Sequence, residues 1–211
     1  MNIIFCPSLQ LLAQVRIALK LLYKFQFQIV RTDFQGAFGG MGRFYRESIH
    51  RMVRLIRAPD FIRRSIAGIV LALATEVAKW YDCHKDLLPL ANIDNWSKIC
   101  WYSHGTIDFF ATAQAFLQDD NLNPRQRFVL SCKYYLEDYV QMLWNDLPED
   151  DLMFIMSNTG LTCDLRFWLD ALQSSNTLDW TQITRKVESG NYIYYLTNYI
   201  YTLLVSLLEI I

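Results

Sequence analysis

Between Arg127 and Leu147 the chain reads RFVLSCKYYLEDYVQMLWNDL, a pattern of two short antiparallel helices with a break at Tyr135-Leu136-Glu137. Cys100, Cys132 and Cys163 recur around it at intervals of 32 and 31 residues. A helix pair is too small to bury its own apolar face, so a period of this length points to units stacked on one another. When Lys98–Leu117 is laid over Leu130–Leu147 on the first two cysteines, Tyr102 matches Tyr134, Ile107 matches Tyr139 and Phe110 matches Met142. The third copy, near Cys163, is poorer, with Arg166, Phe167 and Trp168 out of step.

Composition agrees with a helical body. Apolar residues make up 53% of the 211 and charged residues 19%, which excludes a disordered chain. Only 8 glycines and 5 prolines occur, too few for the many turns of a β-sandwich or barrel. The five cysteines are scattered through apolar stretches with no dense framework, as buried thiols of a reducing compartment would be, and a cytoplasmic location is expected. The first residues, MNIIFCPSLQLLAQV, lack the basic start of a secretion signal.

Helix signals punctuate the chain. Ser8 is placed to cap a helix reaching about Phe25, with Leu11, Leu12, Val15, Ala18, Leu19 and Leu22 on one face and Arg16, Lys20 and Lys24 on another. Gly36–Gly42 is the strongest break and reads as a linker; it lacks the G-K-[ST] of a phosphate-binding loop. Arg43–Arg57 follows as a basic amphipathic helix, apolar at Phe44, Ile49, Met52, Val53 and Ile56, and ended by Pro59. Helices are then expected over Ser65–Trp80, Asp94–Tyr102, Ile107–Leu117, Leu152–Ser157, Leu165–Leu172 and Ile193–Leu208. The charge-free run Tyr192–Leu208 is too polar for a membrane span and is expected as a buried final helix or a self-association surface.

Charge is unevenly distributed. Residues 1–64 hold 11 Lys and Arg against Asp33, Glu47 and Asp60, a balance of +8, whereas residues 65–211 balance at −9. Arg43, Arg46, Arg51, Arg54 and Arg57 are the candidate contacts for an anionic partner. Cys100 and His104, and likewise His104 and Asp108, would share a helical face, the first as a metal-binding pair and the second as a base with its carboxylate beside Ser103. Neither reaches a full ligand set or a triad converging from separate elements, so no metal, cofactor or enzymatic activity is expected.

The Arg127–Leu147 unit resembles the two helices of an ankyrin repeat. Ser131-Cys132 falls where that family places small inner-helix residues, and Val140, Met142, Leu143 and Trp144 fall on its outer-helix apolar run. No Thr-Pro-Leu-His opens the unit, and Tyr135-Leu136-Glu137 stands where the family has a glycine turn. The resemblance covers nothing before about residue 65 and implies a solenoid-like stack of antiparallel helix pairs; with the helical patterns of the first 64 residues, the expected fold is all-α, N-terminal helices followed by that stack. The expected organisation is an N-terminal helical cap with linker and basic helix over 1–64 and an ankyrin-like repeat region over 65–211. The expected function is non-catalytic protein–protein interaction or scaffolding, with Tyr134, Tyr135, Tyr139, Met142 and Trp144 as interface candidates and another protein as partner. The alternative is binding of a membrane surface or nucleic acid through the basic helix 43–57.

Overall fold

A computed structural model describes residues 7–25, 42–84, 87, 98–157, 163–174, 178, 179, 181 and 183. Among them are eight helices and no strand: α1 (Leu9–Leu22), α2 (Gly42–Arg54), α3 (Asp60–Asp82), α4 (Phe109–Leu117), α5 (Pro124–Lys133), α6 (Glu137–Asp146), α7 (Glu149–Ser157) and α8 (Cys163–Gln173). The fold is all-α, as expected. The chain forms two compact units, residues 1–108 and residues 109–211, so the boundary expected at residue 64 lies inside α3.

The first unit is organised by α3, 23 residues long. Ile66, Ala67, Val70, Leu73, Ala74, Val77, Ala78 and Tyr81 recur at three- and four-residue steps and are all buried, which makes one continuous apolar stripe. α1 packs along it through Val15, Ala18, Leu21 and Leu22, and the small alanines of α3 let the two backbones approach. Ser8 caps α1 as expected, its hydroxyl oxygen accepting from the Leu11 amide at 3.2 Å. A polar link crosses this interface: the Ser65 hydroxyl donates to Oε1 of the buried Gln14 at 3.1 Å. α2 packs on α3 through Ile49 and Val53, both buried. Its helical geometry ends at Arg54, three residues before the expected Arg57, and the turn 55–59 reverses the chain into α3.

Residues 98–108 correct a sequence expectation. Of the expected helix Asp94–Tyr102, Lys98 is 3₁₀-helical and residues 99–102 are not helical, Trp101 forming an antiparallel bridge with Ile107. Tyr102 N–H donates to the Thr106 carbonyl at 2.9 Å and Asp108 N–H to the Cys100 carbonyl at 2.9 Å. Gly105 makes the reversal at φ +95°, and a Cβ there would meet Leu73 and Val15 side chains at 3.2 and 3.3 Å. Glycine is required both for the backbone angle and for close approach to the α1–α3 core. Helical periodicity in ICWYSHGTI is overridden because the turn buries Ile99, Tyr102 and Ile107 at once.

The second unit contains the helix pair that opened the sequence argument. α5 starts at a capping box: Asn123 Oδ1 accepts from the Gln126 amide at 2.8 Å, while Gln126 Oε1 accepts from the Asn123 amide at 3.0 Å. Its end is a Schellman motif, with Leu136 N–H donating to the Ser131 carbonyl at 3.0 Å and Tyr135 N–H to the Cys132 carbonyl at 3.2 Å. Tyr135 occupies the left-handed position at φ +52°, where glycine is usual. α6 returns against α5, and α7 and α8 also pack on α5. The core comprises Phe128, Cys132, Tyr135, Val140, Ile155, Leu165, Trp168 and Leu169 among others. Trp168 fastens α8 to the end of α5, its indole N–H donating at 3.0 Å to the same Cys132 carbonyl.

The 32-residue cysteine interval is not a structural period. Cys100 lies in the bridged turn, Cys132 in the last turn of α5 and Cys163 at the start of α8. The expected linker 36–41 and the final segment 192–208 lie outside the described residues.

Candidate functional site

Two surfaces stand out, one in each unit. In the first, α2 and α3 enclose an open cleft of about 520 Å³ lined by His50, Val53, Arg54, Asp60, Arg63 and Arg64. The local sequence explains why it is basic. Burial of Ile49 and Val53 against α3 turns Arg46, His50, Arg51 and Arg54 outward, and Pro59 starts α3 so that Arg63 and Arg64 come up on its first turn. Arg63 pairs with Asp60 one turn earlier and also reaches the Arg54 carbonyl at 3.5 Å, which ties the two helices at the cleft. Arg51, Arg54, Arg57 and Arg64 make no ion pair among the described residues. The turn joining the helices carries Leu55 at 84% exposure, and Phe61, the second residue of α3, is 62% exposed.

The five arginine candidates therefore divide. Arg46, Arg51, Arg54 and Arg57 are exposed in or just after α2, while Arg43 belongs to the first turn of α2 and its side chain lies outside the described residues. Of those whose side chains are described, Arg54 alone lines the cleft; its companions there are His50, on the polar face of the same helix, and Arg63 and Arg64, which lie beyond the helix pattern of 43–57. The available signal was basic residues on both sides of the Pro59 break, a spacing that a helical reversal brings together.

In the second unit the aromatic candidates separate by burial. Tyr134 and Tyr135 are buried in the hairpin turn, and Tyr139 and Trp144 are half-buried, with the Trp144 ring 5.6 Å from that of Phe128. Met142 is exposed at 52%. α7 adds what the sequence reading missed: Met153, Phe154 and Met156 are each more than half exposed, whereas Ile155 is the one residue of the helix that is fully buried. Arg125 lies 4.2 Å over one face of the Phe154 ring. The same two helices carry exposed acidic side chains, Glu137, Asp138 and Asp146 on α6 and Glu149 and Asp150 on α7. The two methionine-bearing helices thus expose both soft apolar groups and carboxylates.

The pairs considered for metal or acid–base chemistry lose their geometric basis. His104 sits in the bridged turn with its ring stacked on Tyr102 at 5.5 Å, so it shares no helix face with Cys100 or Asp108. His84, a buried imidazole, stacks on Trp80 at 4.6 Å, with Nδ1 2.6 Å from the Trp80 carbonyl. Among the described residues no group of three His, Cys, Asp or Glu is placed to hold a metal ion, and no helix is long and apolar enough to cross a membrane. No protein-family model, curated protein or solved structure matches this chain.

Proposed function

We propose that this chain is a non-catalytic protein-interaction module whose second unit is a degenerate, ankyrin-like stack of helix pairs. The observation that carries the reading is α7, which buries Ile155 alone and presents Met153, Phe154 and Met156 to solvent. An exposed set of methionines adapts to the shape of an apolar partner, and ring and thioether groups supply much of the energy of such contacts. Carboxylates on α6 and α7, and a formal balance of −7 over residues 109–211, select a cationic amphipathic segment as the partner. The α5–α6 pair supplies the rigid support, capped at one end and closed by the Trp168 hydrogen bond at the other.

A photo-crosslinking residue placed at Met153 of the full chain should trap a discrete protein in native lysate, whereas the same residue at exposed Thr75 on α3 should not. Met153→Glu combined with Met156→Glu should abolish competition for that partner while leaving the fold intact. Equal trapping from both positions, or undiminished competition by the double variant, counts against the reading.

A further inference from the structure

We propose that the α2–α3 hairpin is a docking tip for anionic membrane surfaces, in which the arginine cleft takes lipid phosphate and the connecting turn inserts into the interfacial layer. Three independent features converge on this one end of the hairpin. The first is charge: Arg51, Arg54, Arg57, Arg63 and Arg64 fall within 14 residues, and Asp60 is the only acid among them. Asp60 is occupied by Arg63, which leaves Arg51, Arg54, Arg57 and Arg64 without an ion partner among the described residues. The second is shape. A cleft of about 520 Å³ has three arginines and His50 on its wall, enough room for a phosphate-bearing headgroup between guanidinium forks.

The third feature selects a bilayer over a soluble polyanion. Leu55 follows α2 directly and Phe61 is the second residue of α3, so both belong to the reversal that also carries Arg57. They are 84% and 62% exposed, and the aliphatic Leu55, standing free beside arginines, gives nothing to a phosphate or a sugar. In a headgroup layer the same groups reach the acyl boundary while the arginines remain at phosphate level, the division of labour of interfacial helices. The first unit as a whole, residues 1–108, carries 14 basic and 8 acidic residues, so long-range attraction to an anionic leaflet has the same sign as the local contacts. The hairpin belongs to the first unit and the methionine-bearing helices to the second, and the inference does not depend on the function proposed for them.

Sedimentation of the full chain with large unilamellar vesicles tests it, using phosphatidylcholine alone and phosphatidylcholine with 30% phosphatidylserine as probes, the latter fraction being about that of a charged leaflet. Wild type should sediment with the anionic vesicles and not with the neutral ones, and binding should weaken as salt is raised. Arg54→Gln with Arg64→Gln should weaken binding about 25-fold, at about fivefold for each cation removed from the surface. Leu55→Ser with Phe61→Ser should weaken it at least about tenfold while leaving its salt dependence unchanged. Arg16→Gln with Lys20→Gln on α1 should change it far less. If Leu55→Ser with Phe61→Ser loses its far-ultraviolet helical signal, the single variant Leu55→Ser replaces it in the assay.

The proposal is overturned if wild type ignores anionic vesicles, or if both tip variants bind as wild type does. It is overturned equally if inorganic phosphate or duplex DNA binds the tip with an affinity that Leu55→Ser and Phe61→Ser do not alter, and prevents sedimentation with vesicles. That result would make the cleft a soluble-anion site. The Met153→Glu, Met156→Glu variant should sediment with vesicles as wild type does.

Discussion

Tyr135 shows how much a single residue can hold in opposition. Its left-handed backbone costs about 1 kcal/mol relative to glycine, yet it terminates α5 with a complete Schellman pair and buries its ring 6.3 Å from that of Trp168. Burial of a side chain of this size stabilises by about 2 to 3 kcal/mol, so packing wins over strain. Tyr135→Gly should therefore lower unfolding free energy by about 1 to 2 kcal/mol despite relaxing the backbone, the difference between those terms. Urea denaturation measures it, and a stabilised variant would show that strain dominates. Glu76 on α3 presents the opposite case, a charge set against burial. Burial pushes its carboxyl above the ordinary range, and attraction to Lys79 only partly opposes this. The folded state thus holds the proton more tightly than the unfolded chain, and stability falls as pH rises from the unfolded value through the folded one. Glu76→Gln should melt above wild type at pH 7, and the two should converge near about pH 4, where the unfolded carboxyl takes up its proton. Parallel melting curves at both pH values would contradict that account.

Elements in this chain are bounded by caps and breaks more than by propensity. α5 is only ten residues long, below the length at which an isolated helix is stable, so its termini matter. Asn123→Ala removes one half of the capping box and should cost about 1 kcal/mol, with Asn123→Ser restoring most of it. Chemical denaturation of the three proteins checks this, and identical midpoints would mean that α5 is held by tertiary packing alone. The start of α1, the break between α5 and α6 and the stop of α6 were legible because Ser8, Tyr135-Leu136 and Pro148 act on the backbone within a few residues of themselves, whereas α5 begins at Pro124 and α7 at Glu149, each three residues before the expected Arg127 and Leu152. The 98–108 turn was not, since its apolar residues mimic a helical repeat and only Gly105, pressed against Val15 and Leu73, betrays the reversal. The cysteine interval misled for a related reason: recurrence of a residue type says nothing about whether the backbone around it repeats.

Across the whole molecule, charge is segregated by unit. Residues 1–108 balance at +6 and residues 109–211 at −7, which together return the formal −1. Opposed fields of this size on separate bodies attract between copies, and salt near the physiological Debye length of about 8 Å screens that attraction. The chain should therefore self-associate at low ionic strength and sediment as a smaller species at high salt. Sedimentation velocity across a salt series reports it, and a salt-independent coefficient would rule out charge-driven association. The same segregation explains why the two candidate surfaces differ in character, a basic tip with Leu55 and Phe61 in one unit and acidic, methionine-bearing helices in the other.

By itself, the sequence determined that this chain is helical, that its helices stop around Pro59, Tyr135-Leu136 and Pro148, and that its first part is basic and its later part acidic. These properties depend on neighbours three or four residues away or on simple counting. Only the tertiary structure decided which apolar groups are covered. Tyr135 turns inward where α8 brings Trp168 to the hairpin, while Met153, Phe154 and Met156 remain outside because Ile155 is the one residue α7 fully buries. It also decided that Arg54, Arg63 and Arg64 share a cleft, since residues nine and ten apart meet only when α2 reverses into α3. Helical periodicity names a face; what lies against that face is set by distant segments whose packing leaves no local mark.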